Sequence, residues 1–349
     1  MADSLPSFTR TIDDDFVTTW YEIREEAIDN ILGATVTWAA LVGAGCLTPQ
    51  TGSEIITRTI RYGTVSAENV TEGHVMTPGD PDLETMAIWY WKYIAVNIQR
   101  SMIKDQQNAG PSKIKSYVGN RITAARDALE QQLESDIWSA HDSTEANATI
   151  QGLNDLVPSY YSGYYDGGTY GGITRANTWA AESNGVYKPS GGTNPWWGNN
   201  YYDGTDASVE DDLLDDMKKL YNSIHANQSP PNLLICTQDL FEIYETFAVD
   251  ISQIIKDESN RLADLGFEVL RFKGKPLIWS KDCTPENGTG FMLMLNTDFI
   301  ELVYDPMLWF DMTDWKPITY EFDRAAQIIL CANLITTQPR RHGRLEYED

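Results

Sequence analysis

From Glu54 to Tyr62 polar and apolar positions alternate, with Ile56, Arg58, Ile60 and Tyr62 on one face and Thr57, Thr59 and Arg61 on the other. That two-residue period predicts a β-strand. A second run, Met86 to Ile98, answers it: Ile88, Tyr90, Lys92, Ile94, Val96 and Ile98 alternate with Trp89, Trp91, Tyr93 and Ala95. Residues 63–85 between them carry Gly63, Gly73, Pro78, Gly79 and Pro81 with Glu68, Glu72, Asp80, Asp82 and Glu84. Two long strands around so large a polar tip predict a hairpin that serves as more than a turn. An isolated two-stranded ribbon is marginal in water, so it must lie on something, either its own sheet or a neighbour.

Helical spacing dominates two earlier and later stretches. Residues 13–32 place Phe16, Trp20, Ile23, Ala27 and Ile31 on one stripe behind Asp13-Asp14-Asp15, predicting an amphipathic helix that packs on its own core or docks as an arm. After Gly110-Pro111, the residues Ile114, Val118, Ile122, Ala125, Leu129, Leu133 and Ile137 form one apolar stripe. They predict a helix from Pro111 to about His141, roughly 45 Å long at about 1.5 Å per residue. Lys113, Lys115, Arg121, Arg126, Glu130, Glu134 and Asp136 are expected on its opposite face.

Residues 158–206 hold Tyr160, Tyr161, Tyr164, Tyr165, Tyr170, Tyr187, Tyr201 and Tyr202 with Trp179, Trp196 and Trp197 among paired glycines. They predict an ordered, aromatic insertion or surface loop. Beyond it, Ser208 caps a helix to about His225, and Pro230-Pro231 precedes a buried strand, Leu233–Cys236. Helices are expected near 239–247 and 251–265. Strands are expected near 267–272, 276–279, 291–296 and 299–304, with 307–315 as strand or loop. Ala325–Thr336 reads as a long apolar strand before the basic end Arg340-Arg341-His342-Gly343-Arg344.

Composition narrows the function. Twenty-six Lys+Arg against 51 Asp+Glu give a formal charge of −25, the wrong sign for a protein that coats nucleic acid through clustered cations. Cys46, Cys236, Cys283 and Cys331 are widely spaced in apolar runs and read as buried thiols of a reducing compartment. The start Met1–Pro6 has neither the basic nor the apolar region of a secretory leader, and no apolar run is long enough for a membrane span. No phosphate-binding glycine loop, zinc spacing or nucleophile elbow occurs, so no catalytic, cofactor or metal residue is assigned. The abundant carboxylates read as a solvated face. Trp and Tyr beside Asp and Asn in 158–206 leave a second reading, a sugar-binding or sugar-cleaving cleft.

The order of these elements, arm, long hairpin, long helix, mixed α/β region and final apolar strand, resembles the major capsid proteins of tailed double-stranded DNA phages. Local wording agrees: Trp138-Ser139-Ala140, then Ile150-Gln151-Gly152-Leu153-Asn154-Asp155-Leu156-Val157, then Gly171-Gly172-Ile173-Thr174-Arg175, then Pro195-Trp196-Trp197. Gln151 stands where the family more often has Asn. The resemblance implies an α+β fold of the Hong Kong 97 type and a non-enzymatic subunit of hexamers and pentamers. That shell would be assembled in a host cytoplasm and found in the virion, enclosing DNA without sequence-specific binding. Portal, scaffolding and decoration proteins would be its other partners, with no membrane and no cofactor. It further implies an N-terminal arm (1–53), an extended loop (54–98), a peripheral domain with the spine helix (99–149), an axial domain (150–325) and a return to the peripheral domain (326–349). Arg58, Arg61, Glu68, Glu72 and Lys92, the apolar Phe16 and Trp20, and Arg340, Arg341 and Arg344 become expected assembly contacts.

Overall fold

The computed structural model describes residues 36–65, 67–72, 79, 81–103, 111–139, 149–159, 168–191, 193–205, 209–225, 229–251, 270–284, 290–319, 321 and 323–348. The expected helices at 13–32, with Phe16 and Trp20, and at 252–265 lie outside them, as do Tyr160, Tyr161, Tyr164 and Tyr165.

The chain enters through helix α1 (Val36–Gly43) and the short strand β1 (Leu47–Pro49), neither of which the sequence pattern announced. The hairpin follows as β2 (Ile55–Arg61) and β3 (Glu84–Tyr90), antiparallel from Ile55 opposite Tyr90 to Arg61 opposite Glu84. The expected single strand over Met86–Ile98 is divided. At Trp91 the chain leaves the ribbon and continues as β4 (Lys92–Ser101), which pairs with a different strand. The buried parity changes there too: Ala87 and Trp89 face inward in β3, whereas Lys92, Ile94, Ile98 and Arg100 do so in β4. A change of neighbour at one residue lets both halves keep alternation while burying opposite faces.

Helix α2 (Pro111–Trp138) begins at the proline as expected and ends three residues before His141. Ile122, Ala125, Leu129, Leu133 and Ile137 are buried against α1 and the inner face of β4. The side chains of Ile114 and Val118 lie outside the described set. Glu134 and Asp136, expected on the outer face, are instead buried. The Glu134 carboxylate accepts from the backbone N–H groups of Thr37 and Trp38, both at 3.4 Å, and from Ser280 Oγ at 3.0 Å. It thus closes the first turn of α1 from another element, where its charge meets the helix dipole and orphan donors. Burial pushes the Asp136 carboxyl pKa up, while hydrogen bonds from Gln132 and the Ile150 backbone pull it down.

After α3 (Leu153–Leu156) come β5 (Thr169–Tyr170), β6 (Ile173–Thr174), β7 (Thr178–Ala181), β8 (Tyr187–Gly191) and β9 (Asn200–Thr205). The described part of the aromatic stretch is therefore not all loop: β7, β8 and β9 are strands of the larger sheet. The rest runs α4 (Val209–His225), β10 (Leu233–Cys236), α5 (Gln238–Ile251), β11 (Leu270–Phe272), β12 (Lys275–Trp279), β13 (Gly290–Leu295), β14 (Ile300–Tyr304), β15 (Asp311–Met312), β16 (Lys316–Pro317), β17 (Asp323–Thr336) and β18 (Gly343–Glu348).

Two sheets organise these elements. In one, β17 is central, with β4 along one edge and β14, β15 and β16 on the other, and β1 outside β14. The other has eight strands in the order β11-β12-β10-β13-β18-β9-β8-β7. Its middle is buried on both faces: Leu233, Ile235, Leu293 and Leu295 join the core shared with α2, while Leu234, Met292, Met294 and Leu345 meet α4 and α5. Double burial explains why Leu233–Cys236 and Phe291–Leu295 read as unbroken apolar runs rather than alternating ones. Within 326–349, β17 belongs to the first sheet and β18 to the centre of the second.

Between them sits His342, fully buried. Its Nδ1 accepts from the Asn296 N–H at 3.2 Å, leaving Nε2–H to donate to Thr336 Oγ1 at 2.8 Å. Burial lowers its pKa from 6.5 to about 3, so the fold holds it neutral. The unfolded chain binds the proton first on acidification. The contribution of His342 is therefore complete above about pH 6.5 and declines as pH falls toward 3, by at most about 1.4 kcal/mol per pH unit. Urea unfolding at pH 6 and pH 5 is expected to show a smaller drop in stability for His342→Asn than for the unaltered chain; equal drops would contradict this. Leu129→Asp, which puts a charge on the buried stripe of α2, is expected to abolish cooperative unfolding followed by circular dichroism, at a cost of several kcal/mol.

Candidate assembly surface

The ribbon of β2 and β3 is clamped at its base and free at its tip. Ile56, Ala87 and Trp89 are at most 1% exposed. The Trp89 indole meets the Tyr170 ring edge-on at 5.8 Å, and Tyr170 in turn packs at 5.9 Å against buried Trp197. Gly171 has φ +58°, and a Cβ there would lie 2.8 Å from the Trp89 ring, so both its backbone and its contact require glycine. Its carbonyl accepts from the Ile88 N–H at 2.9 Å, and Trp91 Nε1 donates to the Ser53 carbonyl at 2.7 Å. Farther out, Tyr62 stacks on Trp196 with centroids 4.9 Å apart, and the N–H groups of Tyr62 and Gly63 both reach the Leu83 carbonyl.

Past that point the described residues of the ribbon are open to solvent. Every described residue from Thr64 to Asp82 is exposed, including Val65 at 63% and Val70 at 57%, and Met86 at 54% extends this apolar edge toward the base. Isolated exposed apolar residues are ordinary, but three on one projecting ribbon form a surface suited to a partner.

The expected contact residues distribute unevenly. Arg61, Glu68 and Glu72 lie exposed on or near the tip. Arg58 is turned instead onto its own chain: Nη2 and Nε contact Glu301 Oε2 at 2.6 and 2.9 Å, and Nη1 reaches Gln50. Lys92 is buried in the sheet at 4% exposure, so it is part of the core and not of an outer surface. The basic end is divided in the same way. Arg340 is exposed and Arg341 lies half-buried over the Phe299 ring, but Arg344 is buried with Glu346 at 2.8 Å. Ser159 donates to the same Glu346 carboxylate, Asn154 accepts from Arg344 Nη1, and the guanidinium covers the Phe291 face at 3.9 Å. Hydrogen bonds to both members tie 154–159 to β18, with the Arg344 Nε–H left without a partner among the described residues.

The short sequence motifs turn out to be anchoring points. Gly152 lies under the last carbonyls of α2, where a Cβ would meet the Ser139, Ile137 and Asp136 oxygens, and Asn154 Nδ2 donates to the Trp138 carbonyl. Arg175 donates to the Asp155 carbonyl and covers the Tyr170 ring at 4.8 Å. Trp196 and Trp197 hold the ribbon base. Trp179 is half-buried, none of the aromatic residues described in 168–205 is fully exposed, and Trp196 packs against Trp197 at 5.4 Å. Among the described residues no His/Cys/Asp/Glu group could hold a metal ion, all four cysteines are buried, and no helix is long and apolar enough to cross a membrane.

The Arg58–Glu301 pair joins the ribbon to β14 and is about one-quarter exposed, so its coupling is expected to be modest. A double-mutant cycle with Arg58→Ala and Glu301→Ala in urea should give roughly 1 kcal/mol. A coupling of zero would show that the pair does not hold in solution.

No family model and no curated protein matches the chain. Solved structures do. A capsid chain of cyanophage A-1(L) superposes with TM-score 0.58 at 15% identity, covering 88% of this chain and 92% of that one. The capsid of the native GTA particle gives 0.51 at 11% identity over 89% and 90%. The holo-SrpI encapsulin complex of Synechococcus elongatus PCC 7942 gives 0.51 at 12% identity over 87% and 85%. The likeness spans nearly the full length of all of them, and the chain therefore has the fold of these phage capsid and encapsulin chains.

Proposed function

We propose that this chain is the repeating subunit of a closed protein shell, the major capsid protein of a tailed phage, and that the shell encloses double-stranded DNA. The observation that carries the reading is the ribbon, rigidly held at its base by Trp89, Tyr170 and Trp196 yet exposed at every described residue between Thr64 and Asp82. A chain gains nothing for its own core by anchoring a projection this firmly. An identical neighbour that receives the tip makes a heterologous contact, which closes into rings. In this reading 54–90 is the extended loop, α2 is the spine of the peripheral domain, and the eight-stranded sheet with α4 and α5 forms the axial domain.

The charge of −25 suits a wall facing packed DNA, since it repels phosphates instead of trapping them. The role is structural and not catalytic: it calls for contact surfaces and a stable core. Deletion of residues 64–82 tests it. Because the tip is exposed and the Gly63–Leu83 closure remains, the variant is expected to unfold cooperatively like the unaltered chain. It should nevertheless form no shells by size-exclusion chromatography and negative-stain microscopy. Normal shells from the variant would overturn the role assigned to the ribbon.

A further inference from the structure

Helix α4 packs Leu213, Met217, Leu220, Tyr221 and Ile224 into the core and turns Asp211, Asp215, Lys218, Asn222 and His225 outward at spacings of four, three, four and three. Its two ends differ in sign. Glu210, Asp211 and Asp212 are exposed at the start, where the helix dipole favours them. About 10 Å farther along, at about 1.5 Å per residue, the exposed face becomes basic at Lys218.

The dipole does not explain what is added there from another element. Lys273, in the β11–β12 turn with φ +49°, places its ammonium 2.5 Å from Asn222 Oδ1, one helical turn beyond Lys218. The same ammonium lies 4.4 Å from the Tyr221 ring centre. Burial of its stem, with the Lys218 charge as a second cause, lowers the Lys273 pKa, as expected for two cations sharing one small area. Among the described residues no carboxylate reaches ion-pair distance of Lys218 or Lys273, whereas Lys219 on the adjoining face is neutralised by Asp215 and Asp216 at 3.0 Å. In a chain of net charge −25, two converging and uncompensated lysines form a local surface of opposite sign.

We propose that a second copy of this chain docks here, with Lys218 and Lys273 of one subunit set against Glu210, Asp211 and Asp212 of the next around a ring. The inference rests on the shell reading and names one of its lateral contacts, separate from the ribbon. Charge complementarity selects the occupant. Every copy carries both patches on one exposed helix face, offset by about 10 Å, so a rotated neighbour presents the matching sign and leaves the opposite patch for the copy after it. Without such a contact, subunits each carrying −25 would meet at this face by repulsion alone.

Charge reversal tests it in the full-length chain. Lys218→Glu/Lys273→Glu makes the whole face acidic and Glu210→Lys/Asp211→Lys makes it basic, and all four positions are exposed, so both variants should keep the far-ultraviolet circular dichroism and cooperative melting of the unaltered chain. Each alone is expected to yield roughly ten-fold fewer assembled particles or less, because like charges then face one another. Co-expression of the two should restore ring-shaped assemblies with an even number of subunits, since acidic and basic copies must alternate. If the unaltered chain assembles and the variants assemble equally well, or if co-expression restores nothing, the contact is wrong while the shell reading stands. If the unaltered chain itself remains monomeric, both fall.

Discussion

Burial of the Trp89 indole is the contact on which the architecture turns. It fixes the base of the ribbon against Tyr170 and Gly171, and two residues later the chain departs into β4, whose inward face has the opposite parity. An aromatic side chain of this size removes a large apolar area from water at low rotamer cost, so a few such residues can hold a projecting element rigid. Tyr170, Trp197, Trp196 and Tyr62 extend the anchor into a continuous aromatic stack from the core to the root of the tip. Beyond the stack, every described residue from Thr64 to Asp82 is exposed.

The rest of the molecule is arranged to keep that anchor and the two sheets in fixed relation. β17 carries the longest pairing, and through Asn333 it reaches the Tyr90 carbonyl and the Gln151 N–H, so ribbon, the segment leading into α3 and central strand meet at one amide. Buried polar groups recur at such joints: Glu134 at the start of α1, His342 between the sheets, and the Arg344–Glu346 pair under 154–159. Each would be expensive if left unpaired, and each is specific about its geometry, which gives the joints definite positions that apolar contact alone would not.

The surface follows a different rule. In the proposed shell, the net charge keeps copies apart at long range, while the exposed apolar residues of the ribbon and the opposed patches of α4 supply short-range attraction. The charged contacts of that shell would weaken as salt screens them while the apolar ones would not, and both depend on which faces meet, so together they favour ordered assembly over indiscriminate association.

Periodicity alone made several elements readable: β2, the start and buried stripe of α2, α4, and the apolar strands β10, β13 and β17. In each, local spacing and burial coincide. The short motifs around Gly152, Gly171 and Trp196-Trp197 were also visible, but as words without a mechanism. Tertiary structure alone decided why they matter, because the α2 carbonyls and the Trp89 ring that crowd those glycines come from distant parts of the chain. It also decided that Lys92 and Arg344 are buried and that Arg58 pairs with Glu301 of its own chain, that residues 178–205 supply strands of the larger sheet, and that Lys273 reaches Asn222 one turn beyond Lys218. One-dimensional spacing reports which face of an element is apolar; it carries no information on which other element will face it, and the partner determines whether a charge is a surface contact or a buried joint.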